Sequence, residues 1–313
     1  METFIRVTEI WIPTRDRTRL ELGAGLYGPL EEFESLSRKM QFGYDEGLPG
    51  KAWAAGHPVI LKSFEGSYFQ RTEAAQLAGL TCGIAVPVFA GDFLLAVMVL
   101  FCGDDEAHVG AIEVWHNDPA ESHDMSLVDG YYGTAELFEW TSRRVSFRPG
   151  TGLPGMVWES GMPVALDDLG DGNRFLREDC AVKVGINRGL GIPVSRNGDA
   201  TYVLTFLSAL GTPIAHRFEI WTPNADGTAL LFDSGHCEAS PELAEFYADA
   251  HIALGEGVLG KAWLSGLPGL SHDLPADPSI AARAAMRRAL RRRFITRTWW
   301  PRSTSATTRR STW

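Results

Sequence analysis

The sequence lacks any apolar stretch long enough to cross a bilayer. The longest, Phe93 to Cys102, is about half the roughly 20 residues that a membrane-spanning helix needs. The opening residues Met1-Glu2-Thr3-Phe4-Ile5-Arg6 offer neither a basic flank running into an apolar segment nor a cleavage site. A cytoplasmic location with no membrane partner is therefore the expectation. Cysteine is scarce as well. Cys82, Cys102, Cys180 and Cys237 stand far apart without a C-x-x-C pair, too dispersed for a disulfide framework or a structural zinc site. Three of them lie in or beside apolar stretches, where a free cysteine acts as a small core residue. Acids are missing from one region only: Met286 to Trp313 holds nine Arg and no Asp, Glu or Lys. The whole chain carries a net charge of −10 from 29 basic and 39 acidic side chains, so residues 1–285 hold 20 basic against 39 acidic. Such an acidic body repels phosphates, and no nucleic-acid partner is expected.

What is present is a repeat. Gly47-Leu48-Pro49-Gly50-Lys51-Ala52-Trp53 returns as Gly152-Leu153-Pro154-Gly155-Met156-Val157-Trp158 and as Gly257-Val258-Leu259-Gly260-Lys261-Ala262-Trp263, with the tryptophans 105 residues apart both times. Glu9-Ile10-Trp11, Glu113-Val114-Trp115 and Glu219-Ile220-Trp221 keep nearly the same period. So do Ile84-Ala85-Val86-Pro87-Val88 and Leu190-Gly191-Ile192-Pro193-Val194. A period this long exceeds that of common solenoids and makes each repeat a small domain. The boundaries fall at 1–103, 104–209 and 210–285, followed by an Arg-rich tail at 286–313. Linkers of about 5 to 8 residues predict compact packing between copies.

Within a repeat, the local signals change in type. Phe218 to Thr222 reads as a strand, Asn224-Ala225-Asp226-Gly227 as a turn and Ala229 to Phe232 as the returning strand. The Gly-Leu-Pro-Gly motif opens a short helix with Trp158 facing inward, Gly161 at its C-terminal cap and Pro163 preventing continuation. Val164 to Leu166 forms a strand. A second helix is predicted over about 173–184, with Leu176, Cys180 and Val184 as its apolar stripe. Gly191 to Val194 and Tyr202 to Leu207 close the unit. A hairpin, short helices and a second hairpin, without βαβ alternation, make an α+β fold with an antiparallel sheet.

Gly150 to Gly155 and Gly255 to Gly260 match G-x-G-x-x-G. The helix that follows is too short for a dinucleotide-binding crossover, and the first copy has Asp45 where the first glycine should stand. His108, His116 and His123 are irregularly spaced in a predicted hairpin, which does not suit a metal site. No Ser/His/Asp or Cys/His arrangement has an anchoring motif, so neither catalytic nor metal-binding residues are assigned.

The Gly-Leu-Pro-Gly-x-x-Trp-x-x-Gly-x-Pro-Val segment, the Phe-x-Arg element (Phe69-Gln70-Arg71, Phe175-Leu176-Arg177) and the Gly-x-x-x-Gly-[Ile/Leu]-x-[Val/Ile]-Pro-Val strand together resemble bacterial GAF domains, from residue 1 to about 285. The resemblance implies tandem GAF-like domains, each a central antiparallel sheet of five or six strands flanked by helices. A ligand pocket between sheet and helices is implied too, as is service as the input module of a kinase, cyclase or phosphodiesterase. Carried onto this chain, the pocket candidates are Trp53, Phe69, Arg71, Trp158, Asp168, Phe175 and Arg177. Arg71 and Arg177, one turn into a predicted helix, would hold an anionic ligand or else a surface carboxylate. Asp167, Asp168 and Asp273, at a strand exit, suit capping. The bilin-attaching Cys-His order is reversed here at His236-Cys237 and the cyclic-nucleotide Asn-Lys-x-Phe-Asp-Glu pattern is missing, so no cofactor is named.

The third copy follows its template through Ala285, but Arg297-Thr298-Trp299-Trp300-Pro301-Arg302 occupies the place of its Ile-Pro-Val strand. A shifted reading frame is the expected origin of this tail, with a genuine basic tail as the alternative. The expected function is a small-molecule-sensing or regulatory module, non-catalytic and without its own output domain. Two alternatives stand beside it. One is an interaction scaffold with self-filled pockets, Trp53 and Trp158 serving as plugs. The other is a redox enzyme like the family's free methionine sulfoxide reductases, working through cysteines.

Overall fold

The computed structural model describes residues 3–103, 109–166, 168–170, 175–194, 200–209, 213–237 and 243–272. In the first copy, β1 (Ile5–Pro13), β2 (Arg19–Leu26), α1 (Glu31–Ser37), β3 (Gln41–Gly43), α2 (Gly47–Ala55), β4 (Val59–Leu61), α3 (Thr72–Leu77), β5 (Leu80–Ala90) and β6 (Phe93–Gly103) follow one another. The second copy repeats the order: β7 (Gly110–Asn117), β8 (Met125–Tyr131), α4 (Glu136–Ser142), β9 (Ser146–Phe147), α5 (Gly152–Ser160), β10 (Val164–Leu166), α6 (Glu178–Lys183), β11 (Arg188–Val194) and β12 (Thr201–Ser208). The third begins alike, with β13 (Arg217–Pro223), β14 (Ala229–Cys237), α7 (Leu243–Tyr247), β15 (His251–Ala253) and α8 (Gly257–Ser265). Its expected closing strand, near residue 299, and the tail at 286–313 lie outside the described residues.

Each of the first two copies is a six-stranded antiparallel sheet, β3-β2-β1-β6-β5-β4 and, in the matching order, β9-β8-β7-β12-β11-β10. The α+β class expected from the alternation of signals is the class observed. The opening hairpins share an irregularity. Register slips between Ile10 and Trp11, between Val114 and Trp115, and between Ile220 and Trp221, with one extra residue on the returning strand each time. A bulge at one position in all three copies bends the hairpin and re-aims the side chains beside it.

The Gly-Leu-Pro-Gly motif has a packing explanation. A Cβ on Gly50 would fall 2.1 Å from the carbonyl oxygen of Gly43, and one on Gly155 would fall 2.1 Å from that of Arg148. The helix N-terminus is thus pressed onto the preceding strand, where no side chain fits. The two are tied together as well, since the Asp45 and Gly150 amides donate to the Gly50 and Gly155 carbonyls. Leu48 and Ala52, or Leu153 and Val157, then face the sheet. Trp53, Trp158 and Trp263 pack against the core of their copies, as expected, but only in part. They are half-buried at the flank of that face, while Trp11 and Trp115 are the fully buried tryptophans.

The helices cover one face of each sheet. The other faces of the two complete sheets meet: Ile84, Val86, Met98 and Leu100 share a core with Ile112, Val114, Leu204 and Phe206. Polar contacts rim this junction, including Thr81 Oγ1 to Tyr131 OH at 3.0 Å and Lys62 to Asp129 at 2.5 Å. His57 of the first copy stacks on Tyr202 of the second at 4.8 Å, and Tyr202 also meets His116 at 4.3 Å. Both faces of Cys82–Val88 on β5 and of Ala96–Cys102 on β6 are consequently dry, which explains their apolar sequence there.

Candidate functional site

The space between helices and sheet is where a small ligand was expected. In the first copy it is built around a carboxylate. Glu9 and Trp11 alternate onto the helical side of β1, and Glu9 is fully buried. Such burial of a charge is costly unless it is paired and hydrogen-bonded. Arg71 supplies the pairing: Nη1 donates to Oε1 and Nη2 to Oε2, the latter at 2.9 Å. The indole of Trp11 donates to Oε2 at 2.8 Å and the phenol of Tyr27 to Oε1 at 3.0 Å. Ser37, the last residue of α1, accepts from Arg71 Nη1 and donates to the Phe33 carbonyl at 2.7 Å. Four rings surround the guanidinium, with Cζ 4.6 Å from the Phe33 centroid, 5.2 Å from Phe101, 5.3 Å from Phe69 and 5.6 Å from Trp11. Cation–π attraction adds to the ion pair when water is excluded.

The second copy reproduces this clamp. Arg177 Nη2 donates to Glu113 Oε2 at 2.9 Å, with Nη1 bridging Oε1 and Ser142. Trp115 and Tyr132 donate at 3.0 and 3.1 Å. Phe138, Phe175, Trp115 and Phe147 ring the guanidinium. Thr205 adds a further donor at 3.0 Å, where the first copy has Val99. Burial works against ionisation of Glu113, but the Arg177 charge and the hydrogen bonds outweigh it and hold its carboxyl below the usual range. Burial first, and then the charge of Glu113, pushes the Tyr132 phenol upward, so it stays a proton donor. One donor is left over in each of the two complete copies: among the described residues, Nε of Arg71 and Nε of Arg177 are buried without an acceptor.

The third copy keeps the carboxylate but draws on another cation among the described residues. Arg217, two residues before Glu219 on the same strand, donates to Glu219 and to Tyr247, which stands where Ser37 and Ser142 stand in the other copies. Arg283, the sequence counterpart of Arg71, lies outside the described residues.

Of the expected pocket residues, Phe69, Arg71, Phe175 and Arg177 come together in these clamps. Arg71 and Arg177 sit just before α3 and α6 rather than one turn inside, since the second helix is shorter than predicted. The carboxylate that each holds is buried, not on the surface. Trp53 and Trp158 pack, half-buried, at the edge of the core and outside the clamps, with Trp53 edge-on to exposed Tyr44 at 5.3 Å. Asp168 is exposed and accepts from the Gly170 amide at 2.8 Å, the turn-capping role weighed for it. Asp167 and Asp273 lie outside the described residues. Sequence reasoning missed Glu9, Glu113, Tyr27, Tyr132, Ser37 and Ser142. An acid recurring inside an otherwise apolar opening strand was the available signal. Cys82 and Cys102 face each other across β5 and β6, in the core between the two sheets rather than beside Arg71. His108 lies outside the described residues, and no cluster of three metal-ligating side chains occurs among the described ones. None of the described helices is long and apolar enough to cross a membrane.

No family model matches this chain, and no curated protein matches it. Solved structures do. A free methionine-R-sulfoxide reductase from Neisseria meningitidis in complex with its substrate is 14% identical, over 31% of this chain and 52% of that one, with a TM-score of 0.25. A GAF domain/HD domain protein from Geobacter sulfurreducens is 16% identical over 32% of this chain and 65% of its own, with a TM-score of 0.28. An NreA protein from Staphylococcus aureus, mutated in its nitrate binding site, is 16% identical over 35% of this chain and 79% of its own, also at 0.28. The chain thus spans between about half and two thirds of the first two structures that it resembles.

Proposed function

We propose that this chain is a non-catalytic GAF-like regulatory module that works as an interaction scaffold, with pockets filled by its own side chains. One observation carries the reading: in both complete copies a buried Arg–Glu pair, capped by tryptophan, tyrosine and serine, takes up the space between helices and sheet. The plugs are therefore Arg71 and Arg177 rather than Trp53 and Trp158. Coupling to a kinase, cyclase or phosphodiesterase output partner remains part of this reading. The reductase alternative has less support, because Cys82 and Cys102 lie on the sheet face opposite the clamp.

The small-molecule sensor is the second reading, favoured by the two unmatched Nε donors, which an acceptor-bearing ligand would satisfy. A thermal-shift screen of the whole chain against nucleotides, tetrapyrroles and amino-acid derivatives separates the two. The scaffold reading expects no shift from any of them. A saturable rise in Tm that disappears in Arg71→Met or Arg177→Met would establish the sensor instead.

A further inference from the structure

The helical face of the second copy exposes four large apolar side chains: Leu137 (46%) and Trp140 (56%) on α4, Leu176 (59%) just before α6, and Val182 (60%) on α6. The two helices are neighbours, with Thr141 Oγ1 3.3 Å from Cys180 Sγ. The core does not require these side chains, since α4 buries Phe138 and Ser142 and α6 buries Ala181. The first copy serves as an internal reference for the same surface. At the equivalent positions it carries the polar side chains Glu32, Ser35, Gln70 and Gln76, and its exposed apolar side chains, Leu36 (37%) and Leu77 (84%), stand elsewhere on α1 and α3.

Charge along α4 is graded. Glu136 and Glu139 occupy its first turn, and Arg143 and Arg144 follow its last residue. Glu139 and Arg143 pair within the helix at 2.6 Å. Arg144 stacks over Trp140, its Cζ 4.0 Å from the ring centroid, and donates to the Trp140 carbonyl at 2.8 Å. Among the described residues neither Glu136 nor Arg144 has an ion-pair partner. An element acidic at one end, basic at the other and apolar between is complementary to itself when two copies run antiparallel. A two-fold axis needs that self-complementarity, and it closes the assembly at two subunits.

We propose that this face is a homodimer surface. Two chains meet about a two-fold axis with α4 antiparallel to its counterpart, Leu137 and Trp140 of each against the other, and Glu136 of one beside Arg144 of its partner. Leu176 and Val182 widen the contact toward the roughly 800 Å² per partner of a stable interface. Helix α1 has the same charge gradient, from Glu31, Glu32 and Glu34 to Arg38 and Lys39, but Glu32 and Ser35 stand where α4 has Leu137 and Trp140. The first copy therefore lacks the counterparts of Leu137 and Trp140, the aromatic one above all, that make the pairing worth its entropy cost.

The test is sedimentation of the full chain across roughly 1–100 μM, a range that reports micromolar dissociation constants. The wild type is expected to sediment as a dimer. The double variant Leu137→Glu/Trp140→Ser follows the first copy and should be monomeric, with a cooperative thermal unfolding that no longer depends on protein concentration. Glu136→Arg and Arg144→Glu should each weaken the dimer about tenfold or more by like-charge contact, and the two together should restore most of the loss. A wild-type monomer throughout the range overturns the proposal. So does a Leu137→Glu/Trp140→Ser dimer, or a charge-swapped double variant no tighter than either single.

Discussion

At the residue scale, the clamp has an asymmetric energetic signature. Removing one partner of a buried pair strands the other, which costs about 3–5 kcal/mol, whereas replacing both by apolar side chains is often close to neutral. Arg71→Met should therefore destabilise the protein by about that amount in urea unfolding. Glu9→Leu combined with Arg71→Met should recover part of the loss, since the buried Trp11 and Tyr27 donors then lack their acceptor, and should leave a coupling of a few kcal/mol in the double-mutant cycle. Additive losses from the two single changes would mean that the ion pair is not what holds the site. The four rings around the guanidinium favour the Met side chain, since an unbranched thioether fits an aromatic surround.

At the element scale, the three motif helices allow one copy to correct another. Asp45 adopts a left-handed φ of 63° where the other copies have Gly150 and Gly255, at 78° and 83°. Asp45→Gly should raise stability by about 0.5–1 kcal/mol through relief of that conformation. The change also removes a half-exposed Lys51 pair at 2.8 Å, worth a few tenths of a kcal/mol at most. Gly155→Ala should do the opposite and cost several kcal/mol, because its Cβ meets the Arg148 carbonyl. Thermal unfolding of both variants checks the pair of signs. These elements were legible in advance because glycine, proline and a fixed period are local signals. The half-burial of Trp53 was not, since Leu48 and Ala52 set the buried stripe and Trp53 stands one helical step beyond it. The clamp was legible only in part. Phe69 and Arg71 announced themselves through the repeat, but Glu9 lies 62 residues upstream on a strand. A sequence cannot display pairing over that distance, and an acid is read by default as a solvent-facing residue.

At the scale of the whole molecule, the junction between the two sheets sets a pH dependence. Burial first, and the neighbouring His57 charge as well, lower the pKa of His116 from 6.5, while Asp118 and Glu121 pull it upward. Tyr202 lies against both imidazoles. A depressed folded pKa means that the packed state favours the neutral ring. Its contribution is whole above pH 6.5 and is lost as pH falls from there toward the folded value. The Tm of the wild type should therefore decline across that window, and His116→Asn should flatten the decline. An identical slope in the variant would assign the dependence to other groups.

The dry junction also constrains how the protein is made. The first sheet is complete once β6 has been synthesised, yet Ile84, Val86, Met98 and Leu100 find their cover only when β12 brings Leu204 and Phe206. At roughly 5–20 residues per second, translation leaves that face wet for several seconds. A nascent chain paused between the copies would present a flat apolar sheet to its neighbours on the same messenger, so the interval between copies is where chaperones have most to do.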